Sequence, residues 1–548
     1  MRSEGTGRLA FLNSVDISHL KKTLHAATSD SIAARIAAAD RSTVYAMLFA
    51  LYGFDILYER ALRRLLLDTL STPRLEALCE RFDRSTVGKR YDLVLTLARI
   101  PWRGGTDIVA AFGEIFEIPR AFLPDPRSTL PSTEVLRPFR PPPALFDYQI
   151  SAGKTLLERL TQAGSAGMLQ LPTGAGKTRT TLHALVRWLV IQHSSGGRRN
   201  GIIWMAHTQE LCEQAFESFA RVWVAEGTGE VSIVRFWADH APPASALPGS
   251  VMIAGYMKLA NLRNTDAALF HELASAAGVL VVDEAHKALA PTVRKTLEAI
   301  KTQGGTSIIG LTATPGRGMQ MGRENSALAD LFGEYLISPP ELGGDPIKTL
   351  QDRGILATVN REVVETHVAL PDSIQGLTAD DRGEFDLAGG ALKELARNEE
   401  RNELILQIVK RQITLGKATL VFTCTADQAK SFALQLASDG ASAAFVSHDM
   451  RRGTRSQIVE DFRSGKIGVL FNYGVLTAGF DAPNVETIVI ARPTTSVVLY
   501  SQMLGRGLRG KEVGGTPNCT VVDVRDNVEN YPEVGELYKA FERYWQRS

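Results

Sequence analysis

Apolar positions change their rhythm along this chain. Up to about residue 125 they recur at three- and four-residue steps, as at Leu62, Leu65, Leu66 and Leu70, which is the spacing of an amphipathic helix. From about residue 144, short β-rich runs alternate with helical stretches: Met168–Gln170, Ile202–Met205, Val251–Ala254, Val279–Val282 and Ser307–Leu311. After about residue 345 a second series follows at Thr419–Thr423, Ala444–Val446, Val469–Phe471, Thr487–Ile490 and Thr520–Asp523. Strand and helix alternating twice over predict an α/β chain with two tandem parallel-sheet domains, preceded by a mainly α-helical domain. Pro124, Pro126, Pro131, Pro138 and Pro141–Pro143 predict a stiff, extended connector between the helical and α/β parts. The expected divisions are residues 1–125 (helical), 126–143 (connector), 144–342 and 343–548 (the two α/β domains).

The helical part holds an internal repeat. Asp40-Arg41-Ser42-Thr43-Val44 recurs as Asp83-Arg84-Ser85-Thr86-Val87. Each copy lies between helix-like stretches, so the repeat predicts a duplicated helix–turn–helix unit with Asp or Ser capping the second helix, unless it is coincidence. Thr72–Ile100 loosely resembles a helix–extended–helix DNA-binding module of the SAP type. Residues 1–140 carry 20 Lys and Arg against 16 Asp and Glu, only a mild basic excess. DNA binding and protein docking both remain open for this part.

The chemistry is concentrated at two strand ends. Residues 170–178 read Gln-Leu-Pro-Thr-Gly-Ala-Gly-Lys-Thr, at a strand-to-helix turn. Gly174 and Gly176 let the backbone curl so that successive N–H groups, from Thr173 through Ala175 to Thr178, can face one phosphate. Lys177 is placed to reach β- and γ-phosphates, and the Thr178 hydroxyl to ligate Mg²⁺. The helix-patterned stretch Thr180–Ile191 would aim its positive end at the same anion. The strict phosphate-loop pattern has Gly where this chain has Leu171. The second strand end is the apolar run Val279–Val282 closing on Asp283-Glu284, where open α/β sheets place ligands. Asp283 is the candidate second Mg²⁺ ligand, and Glu284 the candidate base for an attacking water. Together the two segments predict ATP and Mg²⁺ as cofactors.

Composition narrows the setting. The chain has 548 residues, enough for roughly three domains at ~150 residues each. Net charge is +1, so no global field draws nucleic acid, and local patches must do so. Cys79, Cys212, Cys424 and Cys519 are scattered without zinc-ligand or redox spacing, which predicts reduced, buried thiols. No apolar run reaches ~18 residues, and the first residues lack a signal-peptide core. A soluble cytoplasmic protein without a membrane partner is expected.

The order of these motifs resembles a superfamily 2 helicase over roughly residues 145–525, most like RadD-like and XPB-like DNA helicases and restriction-type motor subunits. Thr477-Ala-Gly-Phe-Asp-Ala-Pro483, Arg492-Pro493-Thr494 and Gln502-Met-Leu-Gly-Arg-Gly-Leu-Arg509 carry the resemblance best. It implies two RecA-like domains and an Asp283-Glu284-Ala285-His286 box. It implies that Gln149 reads adenine, although Phe146-Asp147 stands where the family often has Arg-Pro. Thr208 and Gln209, in His207-Thr-Gln-Glu-Leu211, and Gly255 and Tyr256 would contact the nucleic-acid backbone, as would Thr477. Thr312-Ala313-Thr314 would couple hydrolysis to domain movement, with His286 and Gln502 sensing closure and Gly479 and Asp481 approaching ribose and nucleic acid. Arg506 and Arg509, three apart on an expected helix, would share one face and reach the γ-phosphate across the interdomain cleft.

The expected function is an ATP-dependent DNA helicase or duplex translocase, with a repair or phage-defence role compatible with it. Two alternatives stay open at this point: an RNA-dependent ATPase of the same architecture, and a nucleic-acid recognition ATPase that recruits a separate nuclease or effector through its N-terminal domain. DNA is the favoured partner, and the histidines form no nuclease-like cluster in the sequence.

Overall fold

The computed structural model describes residues 7–28, 32–124, 132–136, 144–196, 199–245, 248–316, 322–366, 368, 377–379, 385–387, 389–475, 484–494, 496–526 and 546–547. The first sheet contains β1 (Thr133–Leu136), β2 (Ala166–Gln170), β3 (Gly201–Ala206), β4 (Val231–Phe236), β5 (Val251–Gly255), β6 (Ala277–Asp283), β7 (Ser307–Thr312) and β8 (Tyr335–Ile337). Their order is β1-β4-β5-β3-β6-β7-β2-β8, continued at the β8 edge by Gln546–Arg547. All pairings are parallel except β1 with β4. Every residue of β6 is buried, as a strand covered on both faces requires.

Two sequence expectations shift here. The Pro-rich connector contributes β1, an antiparallel edge strand, so part of it is built into the first sheet. Residues 346–356, expected to open the second domain, pack through Ile347, Leu350, Ile355 and Leu356 on the core of the first sheet.

The second sheet starts with β9 (Thr358–Glu365). A two-stranded hairpin follows, β10 (Leu377–Ala379) with β11 (Phe385–Leu387). The sheet continues with β12 (Thr419–Phe422), β13 (Ala443–Ser447), β14 (Val469–Tyr473), β15 (Thr487–Ile490) and β16 (Asn518–Arg525). Its order is β13-β14-β12-β15-β16-β9, parallel throughout. The chain is therefore mixed α/β with two parallel-sheet domains and a helical N-terminal region. All four cysteines are buried and unbridged.

The N-terminal helices share one continuous apolar core with the second sheet. The helix Arg41–Tyr52 lies on the helix Ala426–Ser438, and Gly53 closes against Thr454 and Ile458. Ion pairs Arg8–Asp461 (2.8 Å), Arg35–Asp439 (2.5 Å) and Arg451–Asp55 (3.5 Å) surround that core.

The pentapeptide repeat takes two different structures. In the first copy Asp40 caps a helix, its carboxylate accepting from the Thr43 N–H at 2.8 Å. The second copy follows the helix Thr72–Arg81, with Asp83 left-handed at φ 51° and residues 84–89 irregular. The second Asp therefore caps no helix, and the duplicated unit is not formed. Apolar partners decide the difference: Val44 is buried in the shared core, whereas Val87 is 86% exposed.

Candidate active site at the junction of the two sheets

The phosphate loop leaves β2 at Gln170 and enters the helix Lys177–Ser195, which starts one turn earlier than Thr180. Gly174 and Gly176 have φ of 88° and 85°, the left-handed region that the curled loop needs. Leu171 is fully buried in the core of the first sheet. An apolar anchor thus replaces the glycine of the strict pattern without disturbing the loop.

Gln149 is buried beneath this loop. Its Nε2 donates to the Ala175 carbonyl at 3.1 Å, and its Oε1 accepts from the Phe146 N–H at 3.1 Å. The Tyr148 hydroxyl donates to the same Ala175 carbonyl at 2.9 Å. Both ends of the Gln149 amide therefore serve to fix the loop and the start of its own helix. A Cβ on Gly176 would collide with the Gln149 amide, so this position needs glycine for space as well as for conformation.

Strand register brings the other motifs to the same carboxyl edge. Gln170 pairs with Thr312, Leu311 with Asp283, and Ala206 with Gly255. This edge of an open parallel sheet is where ligands bind. Asp283 is buried, its Oδ1 accepting from the Glu284 N–H at 3.0 Å. Burial and then the Glu284 charge push the Asp283 carboxyl up to about 7, with Lys177 opposing. Burial lowers the pKa of the Lys177 ammonium, Glu284 and Asp283 oppose this, and the Arg506 charge adds to the lowering. Lys177 Nζ donates to the Leu171 carbonyl at 3.3 Å.

Glu284 has φ 50°, a left-handed conformation uncommon for a side chain of its size. Its Oε2 lies 3.4 Å from His286 Nδ1, which is 3.5 Å from the Thr312 hydroxyl. That hydroxyl donates to the Thr314 carbonyl at 2.8 Å and accepts from the Thr314 N–H at 3.1 Å. Glu284, His286, Thr312 and Thr314 thus form one contiguous polar chain.

The second domain meets the loop directly. A Cβ on Gly174 would stand 3.2 Å from Leu356, in the segment packed on the first sheet, and 3.9 Å from the Leu508 carbonyl of the second domain. Gly505 stands against Thr173. Gln502, on the helix Val497–Leu504, is buried, and its carbonyl accepts from Arg506 Nε at 3.2 Å. The expected single helix for Arg506 and Arg509 is not formed: it stops at Leu504. Arg506 sits in the following turn, and Arg509 makes an isolated antiparallel bridge to Leu356. Gly505, Gly507 and Gly510 explain the break, because a Cβ at 507 or 510 would strike Ile488 or the backbone of Gly354 and Ile355. The arginines are carried by a glycine-punctuated turn that fits closely against its surroundings.

The expected nucleic-acid contacts divide. Thr208 and Gln209 are half-buried after β3, with the Thr208 hydroxyl accepting from the Leu211 N–H at 3.2 Å as a helix cap. Gly255 is half-buried at the neighbouring strand end. Tyr256 departs from expectation: it is 4% exposed, and its hydroxyl donates inward to the Asp283 carbonyl at 2.5 Å. The ring belongs to an apolar core of the first domain, so it is not a surface contact. Thr477, Gly479 and Asp481 lie outside the described residues.

Sequence reasoning missed the Glu210–Arg455 ion pair, which joins the helix after β3 to the helix Arg452–Arg463 of the second domain. No local signal could have found it, because the partners are 245 positions apart.

Two family profiles match this chain. "Type III restriction enzyme, res subunit" covers residues 143–317, which hold β2 to β7 with the phosphate loop and acidic pair. "Helicase conserved C-terminal domain" covers residues 400–511, including Gln502, Arg506 and Arg509. The chain belongs to the superfamily 2 helicases. Helicase domains of this kind imply ATP hydrolysis.

Among curated relatives, this helicase is 26% identical over 395 residues to the putative ATP-dependent helicase IRC3 of Saccharomyces cerevisiae, covering 70% of this chain and 51% of that protein. It is 27% identical over 261 residues to the putative mitochondrial ATP-dependent helicase irc3 of Schizosaccharomyces pombe, covering 46% of this chain and 38% of that protein. It thus spans about half or less of the length of these two relatives. A fragment of a putative HsdR subunit of a type I restriction enzyme from Vibrio vulnificus is 18% identical, with a TM-score of 0.48, covering 70% of this chain and 64% of that one. Among the described residues, no helix is long and apolar enough to cross a membrane.

Proposed function

We propose that this helicase is a DNA-dependent ATPase of the Asp-Glu-Ala-His type that moves along DNA as its two α/β domains close and open. The observation that carries this reading is the split site. Lys177 and the acidic pair belong to the first sheet, while Gly505, next to Arg506 in the second domain, stands against Thr173 of the phosphate loop, and the Arg506 charge acts on Lys177. A nucleotide site assembled from two domains makes hydrolysis and domain movement the same event.

The residues fit a magnesium nucleotide. Two left-handed glycines curl the loop, and a half-buried ammonium faces two carboxylates whose mutual repulsion a divalent cation would relieve. In this reading Thr173 to Thr178 and Lys177 hold the phosphates, and Thr178 and Asp283 hold Mg²⁺. Bound Mg²⁺ supplies charge neutralisation for the transferring phosphoryl group. Glu284 takes the proton of the attacking water, oriented by His286. The polar chain through Thr312 and Thr314 passes changes at Glu284 toward the interdomain cleft. Arg506 and Arg509 hold the γ-phosphate charge from the second domain.

The strand ends at 206–209 and 255 are adjacent on one sheet edge, which supports a shared path for a sugar–phosphate backbone. DNA is preferred to RNA because the Gly-Phe-Asp-Ala-Pro and Arg-Pro-Thr segments resemble the DNA branch. The test is steady-state ATP hydrolysis with duplex DNA, single-stranded DNA and RNA at one salt concentration. Stimulation by either DNA form well above RNA supports the reading, and stimulation by RNA alone overturns it.

A further inference from the structure

We propose that Tyr256 is a positioning residue that links the nucleic-acid-facing edge of the first domain to the alignment of Glu284. The inference rests on the reading above that the segments after β3 and β5 meet nucleic acid.

Tyr256 follows Gly255 with no intervening loop and opens the helix Tyr256–Thr265. In the sheet order β5-β3-β6, its side chain must pass the end of β3 to reach β6. It does so beneath His207, the first residue after β3, whose ring centroid is 6.3 Å away. The hydroxyl then donates to the Asp283 carbonyl at 2.5 Å. One buried side chain therefore touches all three strand ends: the two that would face the strand and the one that carries the acidic pair.

The bond falls on a decisive peptide unit. The Asp283 carbonyl and the Glu284 N–H belong to the same plane. Tyr256 holds its oxygen side, and the Asp283 carboxylate accepts from its N–H side at 3.0 Å. Rotation of this plane would re-aim Glu284, whose φ of 50° is already in a sparsely populated region. The neighbouring Met257 is 58% exposed, so the same helical turn has an outer face that a passing strand can press and an inner face that holds the catalytic peptide.

The test uses full-length protein with Tyr256→Phe, which keeps the ring and removes only the hydroxyl. The measurements are ATP turnover with and without saturating duplex DNA, KM for ATP, DNA affinity by fluorescence anisotropy, and Tm. The expected result is a DNA-stimulated kcat lowered about five- to tenfold, the scale of one buried hydrogen bond, with KM and DNA affinity within about twofold. Tyr256→Leu should give the same kcat loss if the hydroxyl is the link. A stimulated kcat within about twofold of wild type overturns the inference. A parallel fall of kcat, DNA affinity and Tm in Tyr256→Phe overturns it too, because that pattern is general loosening. A wild-type enzyme that no nucleic acid stimulates sinks the functional reading and this inference together. A stimulated wild type with an unchanged Tyr256→Phe sinks this inference alone.

Discussion

Gly505 of the second domain abuts Thr173 of the phosphate loop: a Cβ built on Gly505 would come within 2.6 Å of Thr173 Cβ. Gly505 has φ −56°, a value any residue adopts, so the glycine is required for space alone. Gly505→Val should therefore oppose approach of the two domains, with only a close contact of the new Cβ to the Ser501 carbonyl, 3.2 Å, inside its own domain. Overpacking costs on the order of 1–3 kcal/mol, so nucleic-acid-stimulated turnover should fall roughly tenfold or more. Tm should stay near wild type, because the clash exists only while the domains are together. Unchanged turnover in a steady-state assay would show that this approach is not needed for hydrolysis.

In the proposed reading Lys177 and Arg506 serve one centre from different domains, so their substitutions should separate binding from chemistry. Lys177→Ala should abolish turnover and weaken nucleotide binding, since the ammonium stands at the loop itself. Arg506→Ala should leave nucleotide affinity within a few-fold while lowering kcat by about 10³ or more, the scale of an arginine finger. Titration with a fluorescent ATP analogue beside single-turnover hydrolysis distinguishes the two. Equal loss of affinity in both variants would remove Arg506 from the finger role.

The strand-end motifs were legible because their chemistry is local. A curled glycine loop, a buried strand and a terminal acidic pair each lie within about ten residues, and period and composition suffice to place them. Residues whose role depends on a distant partner were not. Tyr256 looked like a surface contact because the sequence does not show that it packs beneath His207 and reaches Asp283. The helix expected through Arg506 and Arg509 followed helical spacing, but close packing at Gly507 and Gly510 overrode it. Val231–Phe236 alternates poorly because both of its faces are covered, so period alone does not mark it as a strand. The same pentapeptide became a helix cap at Asp40 and a loop at Asp83, since only Val44 has a core to enter.

Arg401 and Asp526 form a fully buried pair, with Nε–Oδ1 and Nη2–Oδ2 distances of 2.7 Å. Arg401 Nη2 also donates to the Ala491 carbonyl at 2.6 Å, just before Arg492-Pro493-Thr494. Asp526→Leu leaves a buried guanidinium without its carboxylate, a change that costs about 3–5 kcal/mol. Arg401→Met should cost a similar amount. The double variant should be clearly more stable than either single, since no charge is stranded. Chemical denaturation of the four proteins checks this, and additive losses would mean that the pair is not coupled.

The N-terminal domain is expected to behave as part of the second domain and not as a tethered module. Its helix Arg41–Tyr52 covers the helix Ala426–Ser438, and Val44, Leu48, Phe432 and Phe445 belong to one core. Deleting residues 1–124 would expose that apolar face to water at about 25 cal/mol per Å² uncovered. The truncated protein should aggregate or melt well below the full chain, as read by size-exclusion chromatography and thermal denaturation. Gly53→Val offers a milder probe. It places a branched residue at φ 54°, against Ile458 Cδ1 at 2.9 Å from the new Cβ. Left-handed strain of about 1–2 kcal/mol and overpacking of about 1–3 kcal/mol should together lower Tm by several degrees. A deletion that stays monodisperse with the melting point of the full chain would show that the second domain does not need this cover. The N-terminal part would then act as a separable docking module.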